Sequence, residues 1–138
     1  MSAPFWLSHH REDELHRAYA FGGARVCARC LGVYPVMFAA IAAQLAARAP
    51  LAWRWDAPFT LALFAPAVID WVVGRLAPRL GSNPWRTLTG VMAGLALGRS
   101  LYIHLQRPFP VWLLLQVGAV TAAGLAVILT TYARKSAR

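Results

Sequence analysis

The sequence predicts an all-α, polytopic membrane protein, a four-transmembrane-helix bundle with a cytoplasmic N-terminal segment. The chain has 138 residues, of which 59% are hydrophobic and only 14% charged, a composition typical of membrane proteins. Four apolar stretches approach the roughly 20 residues that a helix needs to cross about 30 Å of hydrocarbon. Basic residues mark the ends of these stretches, and this placement is typical of membrane topology.

The predicted transmembrane domain covers residues 31–132, with spans at about 31–47, 57–77, 86–105 and 109–132. Residues 1–30 form the N-terminal segment, and residues 133–138 form a basic tail. Gln44 interrupts the short first span, Asp70 lies in the second, and Arg99 lies in the third, where it either snorkels outward or pairs within the bundle. The connections contain proline, which indicates tight turns between antiparallel helices.

The distribution of basic residues predicts that both termini lie in the cytoplasm. Three basic residues fall on the side opposite the termini, namely Arg48, Arg54 and Arg107. Ten fall on the side of the termini: Arg11, Arg17, Arg25, Arg29, Arg75, Arg79, Arg86, Arg134, Lys135 and Arg138. No cleavable signal peptide is visible in the first residues. The expected location is the bacterial cytoplasmic (inner) membrane.

The net charge of +9 and the isoelectric point near 11.1 do not predict a nucleic-acid partner. A nucleic-acid interface gathers its basic residues on one exposed face with aromatic or polar readers between them. In this chain the arginines lie mostly at the ends of the predicted spans instead. Membrane lipid is the expected partner, with an anionic lipid or a partner membrane protein as further candidates.

Two cysteines, Cys27 and Cys30, lie immediately before the first span in a C-x-x-C spacing. On the reducing side of a membrane this spacing indicates a metal clip or a redox pair. Asp70 lies about 10 Å from the cytoplasmic end of its span, at about 1.5 Å per residue. A carboxylate within hydrocarbon is costly and favours a functional role, with an ion pair to Arg86 or Arg75 as the structural alternative.

These residues predict a zinc site at the cytoplasmic mouth of the bundle. Two thiolates, an imidazole and a carboxylate suit a tetrahedral metal, and the predicted ligands are His10, Cys27, Cys30 and Asp70, with His16 as the alternative to Asp70 for the fourth donor. Two alternatives stay open: the cysteines are small packing residues at a helix start, or they form a thiol-disulfide redox pair. Redox relays need a second thiol pair or an external substrate thiol, and the chain has no other cysteine.

Asn83 and Arg86 begin the third span on the same side and form a predicted anion-binding pair. Free backbone N–H groups, the helix dipole and a guanidinium all favour phosphate at a helix N-terminus. Ordinary positive-inside anchoring is the alternative for Arg86. Asp70 and Arg86 are the candidate catalytic residues.

A set of ordered motifs resembles a family of small bacterial and archaeal membrane proteins known only as a domain of unknown function. The motifs are a histidine, Cys27-Ala-Arg-Cys30-Leu-Gly-Val-Tyr, Pro66-x-x-x-Asp70 and Asn83-x-x-Arg86-x-x-Thr-Gly, between residues 9 and 98. The resemblance implies a membrane fold and makes His10 the counterpart of the family's histidine. It does not indicate which activity the protein has. Departures from the family pattern lie at His9, Leu31 and Trp71.

Three glycines at four-residue spacing form one stripe on the third span: Gly90, Gly94 and Gly98. Such a stripe lets another helix approach closely, either within the chain or from a second copy in a homo-oligomer.

The sequence therefore favours a metal-site scaffold or binding subunit of undefined activity. A small metal-dependent enzyme acting on an anionic lipid-linked substrate held by Arg86 is the first alternative. A redox protein using Cys27 and Cys30 is the second.

Overall fold

The computed structural model describes residues 16–21, 24–51, 54–77 and 80–136. Within these residues the chain forms two antiparallel strands, β1 (Ala18–Phe21) and β2 (Ala24–Cys27), followed by four helices. The helices are α1 (Ala28–Ala46), α2 (Asp56–Leu76), α3 (Asn83–Gln106) and α4 (Val111–Ser136). The predicted helical architecture is confirmed, and the short strand pair is an addition to it.

Three of the described helices, α1, α2 and α4, are long and apolar enough to cross a membrane. Helix α3 has 24 residues but a more polar composition, because it carries Arg86 and Arg99. It is also the best-shielded helix, with ten buried residues against one in α4. A helix that faces protein on most sides can hold charged side chains that lipid-facing helices cannot.

Helices α1 and α3 run parallel and touch backbone to backbone along the glycine stripe. A Cβ atom on Gly90 would lie 2.5 Å from the carbonyl oxygen of Arg29, and one on Gly94 would lie 2.7 Å from that of Val33. A Cβ on Gly98 would lie 2.7 Å from the Cβ of Ala40. Only glycine permits this approach. The stripe predicted to join helices is thus covered within the chain by α1.

The end of the bundle where α2 begins is held by a buried ion pair between Asp56 and Arg99. The guanidinium donates from Nε to Oδ1 of Asp56 at 2.7 Å and from Nη2 to Oδ2 at 3.1 Å. Its remaining bonds go to Gln44 Oε1 at 3.0 Å and to the carbonyl oxygen of Pro50 at 2.8 Å. Arg99 therefore pairs within the bundle, which is one of its two predicted arrangements, and it links α1, α2 and α3.

Helix α4 packs mainly against α2 and hardly touches α1 within the described chain. One of its residues, Gln116, is 1% exposed. Neither side-chain polar atom of Gln116 has a hydrogen-bond partner among the described residues, an arrangement that is costly inside a bundle. The loose seating of α4 leaves space between the four helices.

Replacing Gly90 by alanine is expected to destabilise the protein by about 1–3 kcal/mol, because the new methyl group would overlap the Arg29 carbonyl. Gly118→Ala on α4 is the matched control, since nothing lies within 4 Å of its Cβ position. That control should be neutral or stabilising by up to about 1 kcal/mol through helix propensity. Thermal and denaturant unfolding in detergent measures both, and equal stability of the two variants would contradict the packing described for α1 and α3.

Candidate functional site

The strand pair is fastened to the start of α3 by two side chains. Asn83 donates from Nδ2 to the carbonyl oxygen of His16 at 3.0 Å, and Thr87 donates from Oγ1 to the carbonyl oxygen of Ala28 at 3.0 Å. Ser82 precedes the helix and its Oγ accepts the N–H of Trp85 at 3.4 Å, so the helix start is capped. The N-terminal segment is therefore held against the bundle by direct hydrogen bonds.

Arg17 fastens the same segment to the end of α2. This side chain is 7% exposed and donates from Nη2 to the carbonyl oxygen of Gly74 at 2.7 Å. Gly74 lies in the last turn of α2, where carbonyl groups have no partner within the helix and the dipole favours a cation. A buried arginine thus closes the C-terminal end of α2.

Asp70 pairs with Arg29 rather than with Arg86 or Arg75, the partners expected from the sequence. The carboxylate is 7% exposed and accepts a hydrogen bond from Nη2 of Arg29. The expected pairing was wrong because α1 begins at Ala28, which puts Arg29 in its first turn against α2. The Nε atom of Arg29 is buried and has no hydrogen-bond partner in the described part of the chain.

Arg86 lies beside this ion pair and is almost fully buried, at 4% exposure. Its Nη2 donates to the carbonyl oxygen of Leu80 at 3.0 Å and its Nη1 to Oδ1 of Asn83 at 3.4 Å. The Asn83 amide group, predicted to hold an anion, hydrogen-bonds to Arg86 and to the His16 carbonyl oxygen, and anion binding by Asn83 stays a prediction.

Gly81 lets the chain pass between the two buried charged groups. Its φ of +89° is a conformation that side chains other than glycine rarely adopt. A Cβ here would lie 3.4 Å from Nη2 of Arg86 and 3.6 Å from Oδ1 of Asp70. Both groups therefore flank the same backbone turn.

These side chains surround a cavity of about 100 Å³, which we call the arginine pocket. It is lined by Arg17, Cys27, Arg29, Cys30, Trp71, Gly74, Arg75 and Arg86. The N-terminus of α1 also lies here, without a side-chain cap and without an acidic residue in its first turn. Because backbone N–H groups and guanidinium groups meet at one cavity, the polar groups on its wall are mainly hydrogen-bond donors.

The two cysteines share the arginine pocket and are thiols rather than a disulfide. Of the other predicted zinc ligands, Asp70 is engaged by Arg29, and His10 lies outside the described residues. The part of the chain that the structure describes contains no cluster of three or more His, Cys, Asp or Glu side chains that could hold a metal. Zinc binding stays a prediction.

Arg29 and Arg17 were not predicted as site residues, and in the sequence they indicated only the topology. A signal for Arg29 existed, since it lies between the two cysteines of the motif. Arg17 has no local signal, because its place beside Gly74 depends on the fold of β1 and β2.

In a comparison with protein families, residues 13–101 match a family model described as "Predicted membrane protein (DUF2085)". The matched range includes α1, α2, most of α3 and every lining residue of the arginine pocket, whereas α4 lies beyond it. Neither the curated proteins nor the solved structures give a match to the chain. The family resemblance expected from the motifs is confirmed. The match covers more than half of the chain, which therefore belongs to the DUF2085 family of predicted membrane proteins.

Proposed function

We propose that this protein crosses the bacterial cytoplasmic membrane four times and binds a phosphate-bearing ligand in the arginine pocket at the cytoplasmic side. The proposed number of four spans includes α3. This helix runs beside α1, from Arg29 and Gly90 at one end to Gln44 and Gly98 at the other. Two parallel helices in contact along their length occupy the same slab. Whatever membrane thickness α1 crosses, α3 crosses too.

The orientation rests on the basic residues. With four spans, ten basic residues lie on the side of both termini and three lie on the other side. The positive-inside rule then puts the termini and the arginine pocket in the cytoplasmic half of the membrane. Metabolites and lipid head groups on that side can reach the pocket.

Labelling of single cysteines tests this orientation. In a Cys27→Ser/Cys30→Ser background, Ser136→Cys should react with a membrane-impermeant maleimide only after cells are permeabilised, and Arg48→Cys should react in intact cells. Both positions are exposed in the structure, so access is set by the membrane. Labelling of Ser136→Cys in intact cells would contradict a cytoplasmic C-terminus.

The burial of Arg86 at the cavity carries the ligand proposal. A guanidinium never loses its charge in a protein, and burying it is costly unless an anion or several acceptors compensate. Two acceptors come from the chain, the Leu80 carbonyl and Asn83. In Arg29, the buried Nε donor lacks an acceptor among the described residues. An oxygen-rich anion in the arginine pocket would compensate the buried charge of Arg86.

Phosphate fits this donor set better than other common anions. Arginine presents a planar fork of N–H groups that matches phosphate oxygens, and a helix N-terminus adds backbone N–H groups and a favourable dipole. The cavity of about 100 Å³ is the space of about three water molecules, enough for a single tetrahedral oxyanion group. Asp70 would orient Arg29, and Asn83 would orient Arg86.

Inorganic phosphate should stabilise the detergent-solubilised protein against thermal unfolding. At about ten times its Kd, bound phosphate raises the free energy of unfolding by about 1.4 kcal/mol. Arg86→Gln and Arg29→Gln should lose this stabilisation, whereas Arg134→Gln, an exposed arginine at the end of α4, should retain it. Chloride at equal ionic strength controls for screening. Equal phosphate stabilisation of all four proteins, or none in the wild type, would contradict the proposal.

Zinc is the second candidate ligand of this region, supported by the C-x-x-C spacing and by the position of Cys27 and Cys30 on the wall of the same cavity. Two thiolates would need His10 and one further donor to complete a closed structural site. Asp70 would have to supply that donor through Oδ1, because its Oδ2 is paired with Arg29. The neighbouring guanidiniums also repel a divalent cation, which is why phosphate is the first candidate.

Metal analysis of freshly prepared, reduced protein separates the two candidates. The zinc candidate predicts stoichiometric zinc in the wild type and its loss in Cys27→Ser. Because Asp70 is engaged by Arg29, Asp70→Asn should keep the metal. If wild-type protein purified without chelator contains no zinc, zinc is not a ligand of this region. That result would not affect the proposal of phosphate binding.

A further inference from the structure

A second cavity, of about 180 Å³, lies in the middle of the bundle and is almost purely apolar. We call it the central cavity. Each helix contributes to its wall, among others with Val33 of α1, Phe64 of α2, Leu97 of α3 and Ala123 of α4. Its existence follows from the loose seating of α4, which rests on α2 and hardly touches α1 in the described chain.

The central cavity adjoins the arginine pocket. Arg29 and Trp71 line both cavities, so one wall is continuous from the charged end to the apolar interior. An arginine in this place offers its guanidinium to one cavity and its hydrocarbon stem to the other. The indole of Trp71 has a similar amphipathic character and is common where lipid head groups meet hydrocarbon.

The two cavities differ in chemistry in the way that the two ends of a lipid do. The arginine pocket holds guanidiniums and the start of α1. The central cavity is lined on α3 by Ala93 and Leu97, and Leu97 lies about 16 Å along the helix from Arg86, at about 1.5 Å per residue. A soluble anion would fill only the first cavity, and an uncharged hydrocarbon would fill only the second. A phosphate with an attached apolar chain matches both.

We propose that the arginine pocket and the central cavity form one site for a single membrane lipid, with its phosphate at Arg29 and Arg86 and one hydrocarbon chain between the helices. The lipid enters sideways through the gap between α1 and α4. This assignment rests on the proposed phosphate binding and adds the source of the phosphate, a lipid head group. It also gives α4, which contributes little to the arginine pocket, a role as the movable wall of the chain site.

Binding of defined lipids to delipidated protein in detergent, followed by native mass spectrometry, tests the assignment. Phosphatidic acid should bind with an affinity at least about tenfold above that of diacylglycerol with the same chains, because the latter lacks the phosphate. Inorganic phosphate should bind more weakly than phosphatidic acid, because it lacks the chain. Free phosphate that binds as tightly as phosphatidic acid would overturn the lipid assignment.

A matched pair of variants on α4 tests the chain site. Ala123→Trp fills the central cavity and should lower the affinity for phosphatidic acid by about tenfold. This loss is equivalent to losing the burial of about two methylene groups. Ala122→Trp makes the same change at the neighbouring exposed position and should behave like the wild type. Val120→Phe, also on the cavity wall, replaces Ala123→Trp if size-exclusion chromatography shows that variant to be misfolded.

The two levels of the proposal fail in different ways. If the cavity-filling variants bind phosphatidic acid as Ala122→Trp does, the lipid assignment is wrong, although thermal stabilisation by inorganic phosphate would persist. If Arg86→Gln retains both the binding of phosphatidic acid and the thermal stabilisation by inorganic phosphate, the assignment of the phosphate site is itself wrong.

Discussion

The contact between α1 and α3 is the constraint on which the rest of the structure depends. Gly90 and Gly94 let the two backbones touch, and no side chain could be placed between them. This contact puts the first turn of α1 against the first turns of α3, so the cysteines, Arg29 and Arg86 meet at one end. It also buries much of α3 against protein, which allows that helix to carry two arginines. The arginine pocket is thus a consequence of helix packing.

The two ends of the bundle use their charges differently. Asp56 and Asp70 are the acidic residues in the described part of the chain, and each pairs with one arginine. At the far end, Arg99 has acceptors from Asp56, Gln44 and Pro50, and the network is satisfied. At the near end, Asp70 meets Arg29 while Arg86 is buried beside them. A satisfied network is structural, whereas a donor-rich cavity is suited to binding.

Sequence patterns predicted the helices, the convergence of Asp70, Arg86 and the cysteines at one end, and a packing role for the glycine stripe. These features depend on composition, span length and local spacing, which are visible in the sequence. The Arg29 partner of Asp70 was not predictable, because it depends on α1 beginning three residues earlier than hydrophobicity indicated. The role of Arg17 depends on the strand pair, whose short sequence carries no strong periodicity. The place of His10 lies outside the described residues.

The most direct measurement is an experimental structure of the protein in lipid, soaked with selenate as a heavier tetrahedral oxyanion in place of phosphate and recorded at the selenium and zinc absorption edges. The expected result is a selenium peak between the guanidiniums of Arg29 and Arg86, displaced when phosphatidic acid is added. A zinc peak beside Cys27 and Cys30, with no selenium signal in the arginine pocket, would contradict phosphate binding there.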